Sequence, residues 1–273
     1  MQQHDSRALE ILANRSRKRK SCRQPCFLSI RLVQRRTPSI LEKGSLIEPE
    51  PTQQFVARLK AMIFDLDGTL VDSNELHVES WERAFRHFGK TFPREELRKQ
   101  IGKGSDQYLP EFLTPDEIKG FGKELDCYRS DLFKNEYLPR VQPFPQVREL
   151  FERLRKDGKR CVLASSGKKP ETEHYIKLLQ IEDLIDGKTT ADDAESSKPA
   201  PDVFLAALQK LDGVSPKQAI AVGDTRFDLE AAHKAGLDAI GFVCGGTDEE
   251  TLRNLGALAI YRDPADLLSA IQN

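Results

Sequence analysis

Residues 61–70, AMIFDLDGTL, carry the clearest structural pattern of the sequence. This stretch starts with four apolar residues and then turns into a mixture of Asp and Gly, which is typical of a buried strand that ends in a tight turn. Four more short apolar runs follow, at 161–164, 219–222, 239–243 and 257–261. Segments with helical spacing lie between them. This alternation predicts an α/β fold with a doubly wound parallel sheet, that is, a Rossmann-like core.

The helical segments carry their own start and stop signals. Apolar residues within 147–154 have the spacing of one helix face, and Gly158 suits the left-handed residue that ends such a helix. Thr247 and Glu250 have the spacing of a capping box, and Asp263 precedes a proline that opens the last helix. These signals predict helices between the strands.

The gap between the first and second apolar runs is too long for a single crossover helix, because it spans residues 65–160. We therefore predict an inserted helical cap domain at 81–142, between core segments 58–80 and 143–273. Aromatic residues on the predicted leading helix of the insertion are candidates for the cap's own core: Trp81, Phe85 and Phe88.

The charge is divided unevenly along the chain. The net charge is −1, but residues 1–44 carry +8 and residues 45–273 carry −9. An acidic body lacks the surplus of Lys and Arg that binding to a phosphate backbone requires. Nucleic acid is therefore an unlikely main partner of the body.

The basic N-terminal segment, residues 1–57, has no sustained helix or strand period, and we predict a disordered tail there. Three interpretations of it stay open: an organellar transit peptide, a basic patch for nuclear import or RNA, and a misassigned translation start. The body is expected in the cytoplasm.

Two other classes of protein are disfavoured. No apolar run approaches the roughly 18 residues of a membrane-spanning helix, so a membrane protein is not expected. The five cysteines are scattered and odd in number, and no two have the spacing of a zinc site. A soluble enzyme in a reducing compartment is the better prediction.

Polar residues follow three of the predicted strands, at the point where each strand ends: Asp65, Ser165 and Asp224. Ligands of open parallel sheets bind outside the carboxyl ends of the strands, so these side chains are expected to converge on one crevice. Lys198 lies shortly before a predicted helix whose amino end favours anions. Together these residues predict a site for a small anion.

The chemistry of these residue types suits phosphoryl transfer. Asp65, Asp224 and Asp228 supply hard oxygen ligands, which suit Mg²⁺ held partly by water and by substrate phosphate. An ionised Asp65 can attack phosphorus and form an aspartyl-phosphate. Asp67 lies amid these charges, and we expect like-charge neighbours to raise its pKa and fit it for general acid and base work.

Four sequence motifs resemble those of the haloacid dehalogenase-like superfamily: residues 65–72 (DLDGTLVD), Ser165 after an apolar strand, residues 198–202 (KPAPD), and Gly223-Asp224 followed by Asp228. The resemblance covers about residues 60–273, including a helical cap inserted after the first strand. It is closest to the phosphoglycolate phosphatase and β-phosphoglucomutase branch.

The resemblance implies a role for each matching position. Asp65 would be the nucleophile and a Mg²⁺ ligand, and Asp67 the acid and base and a ligand through its backbone carbonyl. Asp224 would be a further ligand, with Asp228 supporting the metal or its water. The remaining positions would bind the phosphoryl group or support the motif: Ser165 or alternatively Ser166, Lys198, and Thr69 as a buttress.

Three further positions are open to two interpretations. His77 matches a histidine that β-phosphoglucomutases use near the leaving group, but it is also an ordinary helix histidine. The loop 102–105 can reach the substrate or simply join two helices. Lys134 can lean toward a phosphate or lie on a solvated helix face.

These observations predict an enzyme, a Mg²⁺-dependent phosphatase that acts on a small phosphorylated metabolite. The alternative is a sugar-phosphate mutase of the β-phosphoglucomutase type. Asp106 stands where the mutase branch tends to carry an arginine, which disfavours that alternative. A dehalogenase has no need of Asp67 or of magnesium, and a binding protein without catalysis is disfavoured because no motif position is missing.

Overall fold

The computed structural model describes residues 52–272, with a six-stranded parallel sheet at their centre. In chain order the strands are β1 (Ala61–Phe64), β2 (Val71–Asp72), β3 (Gln142–Pro143), β4 (Arg160–Ala164), β5 (Gly187–Thr189), β6 (Ala219–Gly223), β7 (Asp238–Phe242) and β8 (Ala259–Tyr261). The main sheet has the order β5-β4-β1-β6-β7-β8, and β2 and β3 form a separate antiparallel pair. The predicted doubly wound α/β core is confirmed.

All five predicted strands are present, and their ends lie within two residues of the predicted ones. Strand β5 was not predicted, because Gly187-Lys188-Thr189 is short and has no apolar run. The chain runs outward from β1 through β4 to β5, then returns to the other side of β1 as β6 and continues outward through β7 and β8. Such a reversal opens a crevice at the carboxyl ends of the central strands.

Twelve α-helices surround or extend from the sheet within residues 52–272. They are α1 (Thr52–Arg58), α2 (Asn74–His87), α3 (Arg94–Arg98), α4 (Ser105–Tyr108), α5 (Pro115–Glu117), α6 (Lys123–Leu132), α7 (Val147–Lys156), α8 (Lys169–Leu179), α9 (Asp202–Gln209), α10 (Arg226–Lys234), α11 (Glu249–Asn254) and α12 (Pro264–Gln272). Two π-helical segments, Ile118–Gly122 and Phe133–Tyr137, flank α6. No helix among these residues is long and apolar enough to cross a membrane.

The two faces of the sheet bury separate sets of apolar side chains. On β1, Met62 and Phe64 face one core, which includes α7, α8 and α12, whereas Ala61 and Ile63 face the other, which includes α9, α10 and α11. Each large apolar side chain buried in this way contributes roughly 1.5–3 kcal/mol relative to exposure. Two covered faces hold the central strands, and therefore the residues that follow them, in fixed positions.

Helix α1 corrects the predicted end of the N-terminal tail. We predicted a tail over residues 1–57, but α1 begins at Thr52, and the side chain of Val56 is only 2% exposed in the same core as Leu268 and Ile271. Polar residues dominate α1, so its short helical pattern was not detected. The rest of the predicted tail, residues 1–51, lies outside the described residues.

The insertion forms a helical unit with its own core. It leaves and returns through β2 and β3, where Val71 pairs with Pro143. Helix α2 runs without interruption through the predicted boundary at residue 81. Trp81 and Phe85 are buried in the cap core as expected, and the Trp81 ring stacks on Tyr108 with a centroid distance of 4.4 Å. Phe88 packs on the same core and is partly buried.

Two of the three helix-terminus predictions agree with the structure. Gly158 has the left-handed φ of +74° that follows α7, and Asp263 Oδ1 accepts a hydrogen bond from the backbone N–H of Asp266 at the start of α12. The predicted capping box of Thr247 with Glu250 is wrong. The cap of α11 is Asp248, whose carboxylate accepts from the N–H of Thr251, because α11 starts one residue later than the pattern indicated.

Candidate active site

Four charged side chains meet at the carboxyl ends of β1 and β6. Oxygens of Asp65, Asp224 and Asp228 all lie within 4.8 Å of one another, and all three residues are buried. Lys198 is 1% exposed, and its Nζ contacts Asp65 Oδ1, lies 2.7 Å from Asp228 Oδ1, and donates to the carbonyl of Ala164 at 3.0 Å. Residues far apart in the chain therefore form one buried cluster.

The carboxylate of Asp224 is held by neighbouring polar groups. Thr69 Oγ1 donates to Asp224 Oδ1 at 2.8 Å, and Asn74 Nδ2 donates to Asp224 Oδ2 at 2.9 Å. Gly68 has a φ of +75°, and a Cβ at this position would lie 2.3 Å from Asp224 Oδ2. A Cβ on Gly245 would come closer still, at 1.7 Å. Glycine is thus required on both sides of this carboxylate.

Asp228 is fixed by the start of helix α10. Its Oδ2 accepts hydrogen bonds from the backbone N–H of Thr225 at 2.9 Å and from Thr225 Oγ1 at 2.6 Å. The same threonine caps the helix by accepting from the N–H of Asp228. This capping box leaves Asp228 Oδ1 directed toward Lys198.

Asp67 has different surroundings from those we predicted. Its Oδ1 accepts hydrogen bonds from Ser73 Oγ at 2.6 Å, His77 Nε2 at 2.7 Å and the hydroxyl of Tyr175 at 2.9 Å. Its Oδ2 accepts none from residues 52–272. Burial opposes ionisation, but the interactions with His77, Ser73 and Tyr175 outweigh it and lower the pKa of Asp67 to about 2. The predicted rise in pKa is wrong, because attraction to His77 and the three hydrogen bonds together outweigh the effect of burial.

His77 is built into the site. Besides its bond to Asp67, its Nδ1 accepts a hydrogen bond from Arg129 of α6. Its ring stacks on Phe133, with centroids 4.1 Å apart. Arg129 in turn donates to Ser80 Oγ at 3.2 Å. Both ring nitrogens and one face of His77 are therefore in contact with neighbouring side chains. The interpretation of His77 as an exposed helix residue does not apply.

A cavity of about 110 Å³ lies between the core and the cap. The core contributes Asp65, Asp67, Ser166, Gly167, Lys168, Glu171 and Ala191, and the cap, with α2, contributes His77, Trp81, Ile101, Gly102, Lys103, Gly104, Ser105, Asp106, Asp126 and Arg129. The loop 102–105, for which two interpretations were open, therefore lines the cavity.

The two serines after β4 differ in their bonding. Ser165 is buried, and its Oγ accepts a hydrogen bond from the N–H of Gly167 at 2.9 Å. Ser166 lines the cavity, and its buried Oγ has no hydrogen-bond partner among residues 52–272. Of the two alternatives for phosphate binding, only Ser166 lines the cavity.

The cap touches the core through a few polar contacts beside the cavity. Gly104 N–H donates to Ser197 Oγ at 2.9 Å, and Asp106 Oδ2 accepts from the N–H of Ser197 at 3.0 Å. Lys168 Nζ reaches Asp126 Oδ2 at 2.9 Å. Lys134, which could contact a phosphate or lie on a solvated helix face, is exposed and does not line the cavity, in agreement with the second interpretation.

The electrostatics of the carboxylate cluster favour a divalent cation. Burial, together with Asp228 and Asp67, raises the pKa of Asp65 to about 7 although Lys198 lowers it, and burial with its neighbours raises that of Asp224 as well. Lys198 keeps its proton, because the two carboxylates outweigh burial and raise its pKa. Three buried carboxylates against one lysine leave two negative charges to be balanced. Oxygen ligands with that charge fit Mg²⁺.

Several residues of the site carried no sequence signal that we recognised. Ser73 and Tyr175 bind Asp67, Asn74 binds Asp224, and Arg129 binds His77. Ser73 and Asn74 could have been found by noting that they open the helix after the acidic turn. Tyr175 and Arg129 lie on helices distant in sequence, so only the fold brings them to the site.

Comparisons with known proteins agree with the motifs. A family model described as haloacid dehalogenase-like hydrolase matches residues 62–242. The phosphorylated carbohydrates phosphatase of Thermotoga maritima is 27% identical over 215 residues, covering 78% of this chain and 99% of that protein. The fructose-1-phosphate phosphatase of Escherichia coli is 26% identical over 184 residues, covering 67% and 96%. A solved hydrolase from Pseudomonas syringae superposes with a TM-score of 0.70 at 29% identity, covering 78% and 97%. The chain belongs to the haloacid dehalogenase-like hydrolases.

Proposed function

We propose that this protein is a Mg²⁺-dependent phosphatase that hydrolyses a small phosphomonoester through an aspartyl-phosphate at Asp65. The observation that carries the proposal is the buried cluster of Asp65, Asp224, Asp228 and Lys198 beside the cavity. The two relatives with phosphatase names support the same reaction class.

The residues that would hold Mg²⁺ are the side chains of Asp65 and Asp224, the backbone carbonyl of Asp67, and Asp228 directly or through water. When bound, the ion would neutralise the carboxylates and withdraw charge from the phosphoryl oxygens. Because burial and the neighbouring carboxylates raise the pKa of Asp65, a cation here would also favour the ionised nucleophile.

In the first step an Oδ atom of Asp65 attacks phosphorus, an O–P bond forms, and the bond from phosphorus to the ester oxygen breaks. Lys198 already contacts Asp65 and supplies a fixed positive charge for the transferring group. Ser165 or Ser166 supplies hydroxyl contacts to the phosphoryl oxygens. The leaving alcohol needs one proton.

Asp67 carries the protons of both steps through Oδ2, the oxygen that accepts no hydrogen bond from residues 52–272. In the first step it must take up a proton, which a substrate dianion favours because nearby negative charge raises the pKa of a carboxyl group. It gives this proton to the leaving oxygen. In the second step the Asp67 carboxylate deprotonates water, which attacks phosphorus and releases phosphate and Asp65.

The size of the cavity supports a small substrate. Its 110 Å³ is well below the roughly 300–1,000 Å³ of pockets for drug-sized ligands. The cap contacts at Ser197 and Lys168 close it from two sides, which keeps bulk water from the acyl-phosphate.

The test is phosphate release by the purified protein with Mg²⁺ over a panel of phosphoglycolate, hexose phosphates, nucleotides and pyrophosphate. We expect turnover of one or more small esters, lost in D65N and in the presence of a chelator. Conversion of β-glucose 1-phosphate to the 6-phosphate without net phosphate loss would instead identify the mutase. No turnover of any ester, or full activity of D65N, would refute the proposal.

A further inference from the structure

The carboxyl groups that line the cavity are not equally satisfied. Four of the five accept hydrogen bonds from the protein: Asp65 from Lys198 and Thr69, Asp67 from Ser73, His77 and Tyr175, Asp106 from the N–H of Ser197, and Asp126 from Lys168. The backbone N–H of the fifth, Glu171, donates to the carbonyl of Lys168 at 3.0 Å, but its carboxylate forms no hydrogen bond or ion pair with residues 52–272. Only 6% of the residue is exposed, so its carboxylate faces the cavity and not the protein surface.

The carboxylate of Glu171 lines the cavity without a hydrogen-bond partner among residues 52–272. Burial of the residue raises the pKa of this carboxyl group despite the charges of Arg129 and His77, because a desolvated charge without hydrogen bonds is disfavoured. Glu171 lies in the first turn of α8, where the helix dipole stabilises its negative charge. This position supplies no hydrogen bond to its carboxylate oxygens. Such a group is suited to a partner that arrives with the substrate.

Gly167 shows where that partner would lie. A Cβ on Gly167 would be 3.4 Å from Glu171 Oε2 and 3.8 Å from Asp67 Oδ2. Both oxygens therefore face the same small volume, which the missing side chain of Gly167 leaves open. Asp67 Oδ2 is the atom that exchanges a proton with the ester oxygen under the proposed function. Glu171 is then adjacent to the first atoms of the leaving alcohol.

We infer that Glu171 is a specificity-determining residue, which accepts a hydrogen bond from a hydroxyl group next to the ester oxygen. The preferred substrates are phosphomonoesters of polyols, including sugar and sugar-alcohol phosphates. This inference rests on the proposed phosphatase function and adds the substrate class to it.

The same group selects against two other kinds of ester. If the leaving group has no hydroxyl, the Glu171 carboxylate has no hydrogen-bond partner in the complex. The transition state of that ester is then stabilised less, and its kcat/KM is lower. A leaving group with a carboxylate next to the ester, as in phosphoglycolate, brings a second negative charge toward Glu171. Arg129, His77 and Lys168 surround this position, but Lys168 is already paired with Asp126.

The experiment compares two substrates with the same carbon skeleton, glycerol 2-phosphate and isopropyl phosphate. We expect the wild-type kcat/KM for glycerol 2-phosphate to exceed that for isopropyl phosphate by about tenfold or more. In E171Q this ratio should fall about tenfold, because a neutral acceptor bonds a hydroxyl less strongly than a carboxylate. The ratio of phosphoglycolate to isopropyl phosphate should rise in the same variant.

Glu173, two residues further along α8, gives the matched control. It pairs with Lys188 at 3.4 Å and does not line the cavity, so E173Q should leave both ratios unchanged. If E171Q is unstable, E171M provides a second variant of similar volume. It should lower the ratio of kcat/KM for glycerol 2-phosphate to that for isopropyl phosphate at least as much as we expect for E171Q.

The outcomes separate this inference from the proposed function. If wild type hydrolyses both esters with similar kcat/KM, or if E171Q and E171M keep the wild-type ratio, the role of Glu171 is refuted and the phosphatase stands. If wild type releases phosphate from none of these esters or the wider panel, the proposed function fails first.

Discussion

The cavity lies between a core wall, which includes Asp65 and Asp67, and a cap wall, which includes Gly104 and Asp106. The two walls hold their polar groups in different ways. On the core wall, Asp65 lines the cavity, and Asp224 and Lys198 lie buried behind it. Lys198 contacts Asp65, and Asp224 accepts a hydrogen bond from Thr69. Both aspartates follow strands that are covered on both faces. On the cap wall, Gly104 and Asp106 contact the core through single bonds. The difference indicates that the core wall fixes the chemistry, whereas the cap wall can change with the substrate.

The largest effect is expected at the nucleophile on the core wall. D65N should lower kcat/KM for any hydrolysed ester by about 10³-fold or more, because an amide cannot form the aspartyl-phosphate. Phosphate release measures it. The matched control is D238N, an exposed aspartate at the start of β7, which should keep wild-type activity. Substantial activity in D65N would show that Asp65 on the core wall is not the nucleophile.

Removing Lys198 should affect stability as well as activity. K198M leaves Asp65 and Asp228 buried without their cation, so the free energy of unfolding should fall by about 3–5 kcal/mol. Urea unfolding measures the change. K188M removes a half-exposed ion pair with Glu173 and should cost less than about 1 kcal/mol. If both variants lost the same free energy of unfolding, the buried ion pairs of Lys198 would not be more important for stability than the half-exposed pair of Lys188.

The pH dependence of stability reports the charge on the core wall. The pKa of Asp65 rises from 3.8 to about 7 on folding, so the metal-free folded state binds more protons than the unfolded state between those values. Stability should therefore fall as pH rises from about 4 to about 7, by about 3 kcal/mol. Urea unfolding in a chelator measures this slope, which should be shallower in D65N. A slope of the opposite sign, or one unchanged in D65N, would refute the assigned shift.

Asp67 should make the free energy of unfolding depend on pH with the opposite sign to Asp65, and over a lower pH range. Its pKa is lowered to about 2 from 3.8, so its contribution to stability is complete above about pH 4 and is lost as pH falls toward 2. The stability difference between wild type and D67N should shrink over that interval. A constant difference would show that the bonds from Ser73, His77 and Tyr175 do not hold the carboxylate.

The smallest effect is expected on the cap wall, where two glycines provide a matched pair. A Cβ on Gly104 would lie 2.6 Å from Ser197 Cβ, whereas a Cβ on Gly120 meets nothing within 4 Å. G104A should push the cap loop away from Ser197 and lower kcat/KM about tenfold, mainly through KM. G120A should have wild-type kinetics. Equal kinetics of the two variants would show that the cap loop does not close on the substrate.

The sequence predicted the core wall better than the cap wall for a physical reason. Asp65, Ser165 and Asp224 each follow an apolar run, and parallel strands bring their carboxyl ends to one edge, so local pattern was enough to predict convergence. Strand β5 was missed because it is short and lacks an apolar run. The start of α1 was missed because polar residues hide its helical period.

The remainder of the site depends on contacts that no local pattern encodes. The pKa of Asp67 was predicted in the wrong direction because Tyr175 and His77, which lie 108 and 10 residues away, reach the same oxygen. Glu171 had no motif, and its lack of a partner is visible only after folding. Lys134 was a candidate on charge alone, and the helix turns it to solvent.

The phosphoryl group should be transferred to Asp65. Stopping turnover with acid and mapping a phosphoryl label on the protein tests this transfer. With an ester labelled in its phosphoryl group, Mg²⁺ and wild-type protein, the label should be found on the peptide containing Asp65 and should be absent in D65N. Reduction with borohydride should convert that residue to homoserine. Label on another residue, or turnover with no label on the protein, would contradict the account.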